Sequence, residues 1–268
     1  MFAADARVLN RIAPTIQRVV IADPNLASAR LLVDIMKSLG AREVVSESDE
    51  ARVMDAIREI EPGLIFTERT GPMLDGESLT RNLRRSNLAC RRAPVIMVTA
   101  EATATSIKGA RDCGVHEFLR KPFTSADLFR RVENVALKPR DWVEGVGYVG
   151  PDRRRFNSGE YAGPQKRKAD KPASAASAAV AIKDQAMRIL AAALAQFDSD
   201  PVQAIRASRT QAETLKALAI KTSDAKLAIA ASGLEAFLGA GQVTKASLAM
   251  PISALLSLAD PEPLARAS

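Results

Sequence analysis

Leu64-Ile65-Phe66-Thr67-Glu68-Arg69-Thr70-Gly71-Pro72-Met73-Leu74-Asp75-Gly76 is the stretch whose reading decides the fold. A short apolar run ends in an acidic residue, a loop with Gly and Pro follows, and Asp75-Gly76 opens a helical pattern. An apolar run without alternation is the mark of a buried parallel strand. Such a strand delivers the Glu68 carboxylate to the C-terminal edge of its sheet, where open α/β sheets hold their sites. Asp75-Gly76 itself reads as turn and cap chemistry.

The same form recurs outward from this stretch. Upstream, Arg18-Val19-Val20-Ile21-Ala22-Asp23 is a second β-branched run ending in an acid at the same edge. Leu31, Leu32, Ile35, Met36 and Leu39 make a helical stripe within Leu26–Leu39, with Gly40 as its stop. Val44-Val45-Ser46 is a short strand, and Val53, Ile57 and Ile60 mark a helix over Glu50–Ile60. Downstream, helices are predicted over Gly76–Arg85, Thr105–Cys113 and Ser125–Leu137, the last with Ser125 as N-cap. Strands are predicted over Pro94–Thr99 and Glu117–Arg120. Five strand–helix alternations define an α/β, doubly wound, five-stranded parallel sheet. Residues 1–17 read as an N-terminal extension with a turn or two of helix before Pro14.

Asp23, Glu68, Thr99 and Lys121, with Pro122 after the lysine and Phe118 three residues before it, fall at a family's spacing. On these residues, and on Val98-Thr99-Ala100 and Lys121-Pro122-Phe123, residues 18–137 resemble the chemotaxis-type receiver domain of two-component response regulators. The resemblance implies a flavodoxin-like receiver fold and places Glu68 at the phosphoacceptor position. It makes Thr99, Phe118, Lys121 and Pro122 switch positions and Asp23 the remainder of an acidic pocket. The family's acceptor is aspartate, and a second acid beside Asp23 helps to hold Mg²⁺; here Glu68 and Pro24 stand there. The extra methylene displaces the carboxylate by about 1.5 Å, and phosphoryl transfer depends on alignment and electrostatics. A degenerate receiver without phosphotransfer, metal or cofactor is therefore expected. Glu68 then either imitates part of a phosphorylated aspartate or forms a static ion pair with Lys121, the second being the simpler reading.

Bulk properties bound the alternatives. The 268 residues exceed one ordinary domain, and 47% hydrophobic content supports a real core. Only 4% of residues are aromatic, which with abundant Ala favours helix-rich packing. Cys90 and Cys113 lack metal-ligand spacing and suggest a reducing compartment. No run of about 18 apolar residues reads as a membrane span. Residues 1–17 lack a signal peptide's apolar core, so a cytoplasmic location is expected. The single histidine, His116, reads as a surface residue and leaves no Cys–His pair or His-based metal cluster to act.

Composition shifts at Lys138-Pro139-Arg140, and 138–178 reads as a basic flexible linker. Residues 151–172 hold seven basic residues against three acids. Arg153, Arg154 and Arg155, flanked by Tyr148, Phe156 and Tyr161, suit an anion such as a cyclic dinucleotide, or a solubilising role. Residues 179–268 show four helical stretches, with Asp200-Pro201 opening the second, Ser223 or Asp224 the third, and Thr244 a fourth interrupted at Pro251. This small all-α bundle has no histidine, which excludes a histidine-phosphotransfer role, and its nine basic and eight acidic residues over 181–268 offer no footprint for DNA.

The expectation is a non-enzymatic signalling adaptor of the response-regulator type. Its receiver contacts a signalling protein near Phe118, and its C-terminal helices bind a partner or form a homodimer. The rival classes are an anionic second-messenger sensor, a DNA-binding regulator and a phosphorylation-dependent regulator.

Overall fold

The apolar runs form the strands of one parallel sheet, because only a sheet covered on both faces can bury such runs completely. In chain order the elements are α1 (Ala6–Ile16), β1 (Arg18–Ala22), α2 (Leu26–Ser38), β2 (Glu43–Glu47), α3 (Glu50–Ile60) and β3 (Leu64–Thr67). There follow β4 (Thr70–Gly71), β5 (Leu74–Asp75), α4 (Gly76–Arg85), a 3-10 turn (Ala89–Arg92), β6 (Val95–Thr99) and α5 (Ala104–Cys113). Then come β7 (Glu117–Arg120), α6 (Ser125–Leu137), β8 (Trp142–Glu144), β9 (Val149–Pro151) and four helices: α7 (Ala175–Ala195), α8 (Pro201–Thr222), α9 (Ala225–Gly239) and α10 (Lys245–Leu256). The computed structural model describes residues 6–153 and 175–259. Within them lie two units: 6–143 with 148–153, and 144–147 with 175–259.

In the first unit the strand order is β2-β1-β3-β6-β7, the doubly wound arrangement whose order reverses beside β1. All four residues of β3 and all five of β6 are buried. One core layer joins Ile21, Phe66, Ile96 and Leu128 beneath α1, α2 and α6. The other joins Val20, Ile65, Met97 and Phe118 beneath α3, α4 and α5. The N-terminal residues depart from the expected short extension. Helix α1 runs eleven residues and passes through Pro14, because Ile12 and Ile16, four residues apart, are both buried in the first layer. The α6 N-cap is Thr124 rather than Ser125: its hydroxyl accepts the Asp127 N–H, and Asp127 reciprocates as a capping box.

Residues 140–153, where composition suggests a linker, are folded. Strands β8 and β9 pair with each other, Tyr148 donates its hydroxyl to the Pro151 carbonyl at 2.6 Å, and Arg140 reaches the carbonyls of His116 and Asp152.

The second unit is a four-helix packing whose core is rich in alanine. Ala204, Ala207, Ala212 and Ala219 of α8 are buried with Leu190, Leu215, Leu234 and Leu248. Helix α10 continues through Pro251 instead of breaking there, because Leu248, Ile252 and Leu255 are fully buried and hold its face in place. Residues 144–147 belong to this unit: Val146 joins its core, and Gln203 Nε2 donates to Glu144 Oε1 and the Gly145 carbonyl, each at 3.2 Å. Gln211 Nε2 donates to the Glu144 carbonyl at 3.3 Å. Val146→Ala removes two buried methyl groups and is expected to cost about 1.6 kcal/mol, read as a lower urea midpoint of the helical circular dichroism signal.

Candidate functional site

The parallel register sets the site. Ala22 pairs with Thr67, and Thr99 with Arg120, so Asp23, Glu68 and Lys121 are each the first residue past a strand end. The ladder extends that one residue further: Glu68 N–H donates to the Ala22 carbonyl at 2.7 Å, and Lys121 N–H to the Thr99 carbonyl at 2.8 Å. Side chains from positions 23, 68 and 121 therefore converge without any long-range instruction beyond sheet register.

Lys121 Nζ lies between the two acids, donating to Asp23 Oδ2 and to Glu68 Oε2 at 2.7 Å each. The other oxygens are engaged as well. Asp23 Oδ1 accepts the Asn25 N–H at 2.9 Å, Asp23 Oδ2 also accepts the Ser28 hydroxyl at 2.6 Å, and Glu68 Oε1 accepts the Arg69 N–H at 2.8 Å. Asp23 is 2% exposed, Glu68 13% and Lys121 19%, so the group is screened by little water. Burial alone would lower the Lys121 pKa; the hydrogen bonds and charges of Asp23 and Glu68 outweigh it and raise it above the usual lysine value near 10.5.

The loop beneath the site is shaped by two close approaches. A side-chain carbon on Gly76 would lie 2.1 Å from the Glu68 carbonyl oxygen, so the start of α4 can pass under Glu68 only as glycine. A carbon on Gly71 would lie 2.5 Å from the Pro24 ring; Pro24 packs where a bulkier loop would not fit.

Of the other positions singled out by the resemblance, Thr99 is buried and its Oγ1 accepts the Glu101 N–H at 3.3 Å. Phe118 is buried in the layer beneath α3, α4 and α5. Pro122 lines a surface cavity of about 320 Å³ with Ile107, Phe118, Phe123, Arg120 and Arg130. Arg153 lies apart from the site, donating to Asp112 at 3.1 Å with its guanidinium 4.4 Å from the Tyr148 ring centre. Arg154 and Arg155 lie outside the described residues.

Two features escape a reading by motif. Arg69 bridges two elements: it donates to Glu77 of α4 at 3.4 Å and to Glu101 of the β6–α5 loop. Ser106 also donates its hydroxyl to the Glu101 carbonyl at 2.7 Å, so that loop is tied at side chain and backbone. His116 is not a surface residue. Its Nδ1 accepts from Arg84 Nη2 at 3.1 Å and from the Val95 N–H at 3.3 Å. Burial, then the positive charges of Arg84 and Arg140, hold its pKa well below the usual 6.5.

The family model for the response regulator receiver domain matches residues 19–133. The chain is 25% identical over 118 residues to the chemotaxis protein CheY-3 of Vibrio cholerae, covering 44% of this chain and 90% of that protein. It is 28% identical over 123 residues to a probable chemotaxis protein CheY of Rhizobium etli, covering 45% and 95%. Among solved structures, the receiver domain of the sensor histidine kinase PA1611 from Pseudomonas aeruginosa is 27% identical with a TM-score of 0.41, covering 44% of this chain and 95% of that one. The likeness to the response regulator receiver family covers residues 19–133, under half of the chain. Receiver domains serve two-component signalling through contacts with signalling partners, generally without catalysis of their own. Among the described residues no helix is long and apolar enough to cross a membrane.

Two outcomes test the site. Lys121→Met leaves two neighbouring carboxylates without their cation, and should cost about 3 kcal/mol by the usual penalty for halving a buried pair. Because the folded-state pKa of Lys121 is raised, its contribution is complete below the unfolded value and fades as pH rises past the ordinary lysine range. The wild type should therefore lose more stability than Lys121→Met in urea titrations carried from pH 9 to pH 11. For His116 the sign is opposite: a lowered folded pKa means that the unfolded chain binds the extra proton as pH falls below about 6.5. His116→Gln should flatten the loss of stability between pH 7 and pH 5.

Proposed function

We propose that the chain is a non-enzymatic signalling adaptor whose receiver no longer takes a phosphoryl group and acts through protein contacts. The observation that carries this reading is the saturation of the site. Both carboxylates close on Lys121 at 2.7 Å, and their other oxygens accept from Asn25, Ser28 and Arg69. Glu68 in this arrangement is a static ion-pair partner of Lys121 rather than a nucleophile awaiting a donor.

The family's Mg²⁺ does not fit the residues present. That ion needs several oxygen ligands in near-octahedral geometry. Asp23 and Glu68 supply carboxylates already neutralised by an ammonium group, while position 24 offers a proline ring packed on Gly71. Among the described residues no group of three or more metal-ligating side chains converges.

The partner-binding face on this reading is the cavity beside Phe118, where Ile107, Pro122 and Phe123 supply apolar surface and Arg120 and Arg130 a charged rim. An apolar centre with a polar rim is the usual anatomy of a protein interface. The helical unit would add an interaction or homodimer module; its alanine-rich core allows close helix packing. Neither a cyclic dinucleotide nor DNA gains support from Arg153, whose guanidinium is held by Asp112 and Tyr148.

The deciding experiment is incubation of the purified protein with acetyl phosphate and Mg²⁺, read by intact-mass spectrometry beside the double variant Glu68→Asp, Pro24→Asp. The wild type should show no added mass and the double variant a gain of about 80 Da, one phosphoryl group. A labile phosphoryl group on the wild type would refute the adaptor reading.

A further inference from the structure

A second cavity, of about 380 Å³, lies at the edge of the sheet opposite Lys121, where the central strands begin. Strand β1 starts at Arg18 in its wall and β3 directly after Gly63. A side-chain carbon on Gly63 would lie 2.4 Å from the Thr15 carbonyl oxygen, so only glycine lets the entry to β3 close on the last turn of α1. Pro14 and Pro62 give the cavity apolar surface, and Gln17, Arg18, Glu61 and Cys90 give it polar groups. Among the described residues, the Arg18 guanidinium and the Glu61 carboxylate have no hydrogen-bond or ion-pair partner, not even each other. Both act on one sulfur: burial chiefly pushes the Cys90 thiol up, and beside it Glu61 raises and Arg18 lowers the pKa. Glu61 occupies the left-handed cap of α3, at φ 44°, where glycine is the usual residue. Helices α1 and α3 both end here, at Ile16 and Ile60, and a helix C-terminus carries about half a negative charge.

We propose that this cavity binds a small zwitterion, an α-amino acid with an apolar side chain, its carboxylate on Arg18 and its ammonium on Glu61. The volume falls within the roughly 300–1,000 Å³ of small-molecule sites. A ligand bearing both signs gains two charge-assisted hydrogen bonds, whereas a ligand of one sign gains one and meets one repulsion. The guanidinium fork suits a carboxylate in particular. The two helix ends strengthen the pull on an ammonium group and disfavour a phosphate or a nucleotide. Pro14 and Pro62 offer the side chain rigid apolar surface. The cavity is separate from the Lys121 centre and from the Phe118 face, so this site does not depend on whether the receiver takes a phosphoryl group.

Isothermal titration of the full chain with L-leucine should give saturable heat at one site. Leucinamide, which lacks the carboxylate, and 4-methylpentanoate, which lacks the ammonium, should each bind about tenfold more weakly or worse. L-leucine should lose as much on Arg18→Gln or Glu61→Gln, with circular dichroism unchanged because both side chains are exposed. The two thiols supply a second readout. Cys90 is half-buried and Cys113 is buried, so a chromogenic aromatic disulfide reacts first at Cys90. Saturating L-leucine should slow that reaction in the wild type and leave it unchanged in Glu61→Gln. Absence of saturable heat, or binding of either single-charge analogue as tight as that of L-leucine, overturns the proposal. Heat without protection of Cys90 places the ligand elsewhere and overturns it as well.

Discussion

Everything at the C-terminal edge of the receiver sheet depends on one ammonium group between two carboxylates. Asp23 and Glu68 are brought together by strand register, and two anions at that distance in a dry pocket would repel strongly. Lys121 converts that repulsion into attraction, and its hydrogen bonds at 2.7 Å draw the ends of β1, β3 and β7 toward one point. The Arg69 N–H and the Asn25 N–H complete the shells of the two acids, so the loops after β1 and β3 inherit their shape from the same charges. Removing either sign of charge would unsettle three loops together.

Around this centre the molecule places its constraints in layers. Gly76 and Gly71 let α4 and the β4–β5 turn close under Glu68 and against Pro24. Arg69 then ties α4 to the β6–α5 loop through Glu77 and Glu101. Each anionic oxygen of Asp23 and Glu68 meets a donor from its own chain.

The centre of the sheet was legible because β1 and β3 are apolar runs with an acid just past the end, and β6 is a third apolar run, a pattern that no amphipathic helix produces. The convergence of positions 23, 68 and 121 was legible only through the resemblance, since 53 residues separate Lys121 from Glu68 and 98 separate it from Asp23. Helix α1 was obscured by Pro14, whose breaking tendency is overridden by the burial of Ile12 and Ile16. Strands β8 and β9 are three residues each, too short for an alternation to show among Gly and Pro. Arg69, Arg84 and His116 look like ordinary polar residues in the sequence. Their roles come from partners 30 or more residues away, at Glu101, Gly114 and Arg84 respectively, which no local pattern announces.

The tetrapeptide of residues 144–147 bears on how the chain is built. Val146 belongs to the core of the helical unit, yet it leaves the ribosome about a hundred residues ahead of Ile252, which shares that core. At roughly 5–20 residues per second, its apolar side chain waits roughly 5–20 seconds for the helices that shelter it. The helical unit is thus discontinuous in synthesis order: residues 144–147 are made well before the helices whose core Val146 joins. A cut between residue 147 and α7 would therefore separate Val146 from the helices whose core it joins.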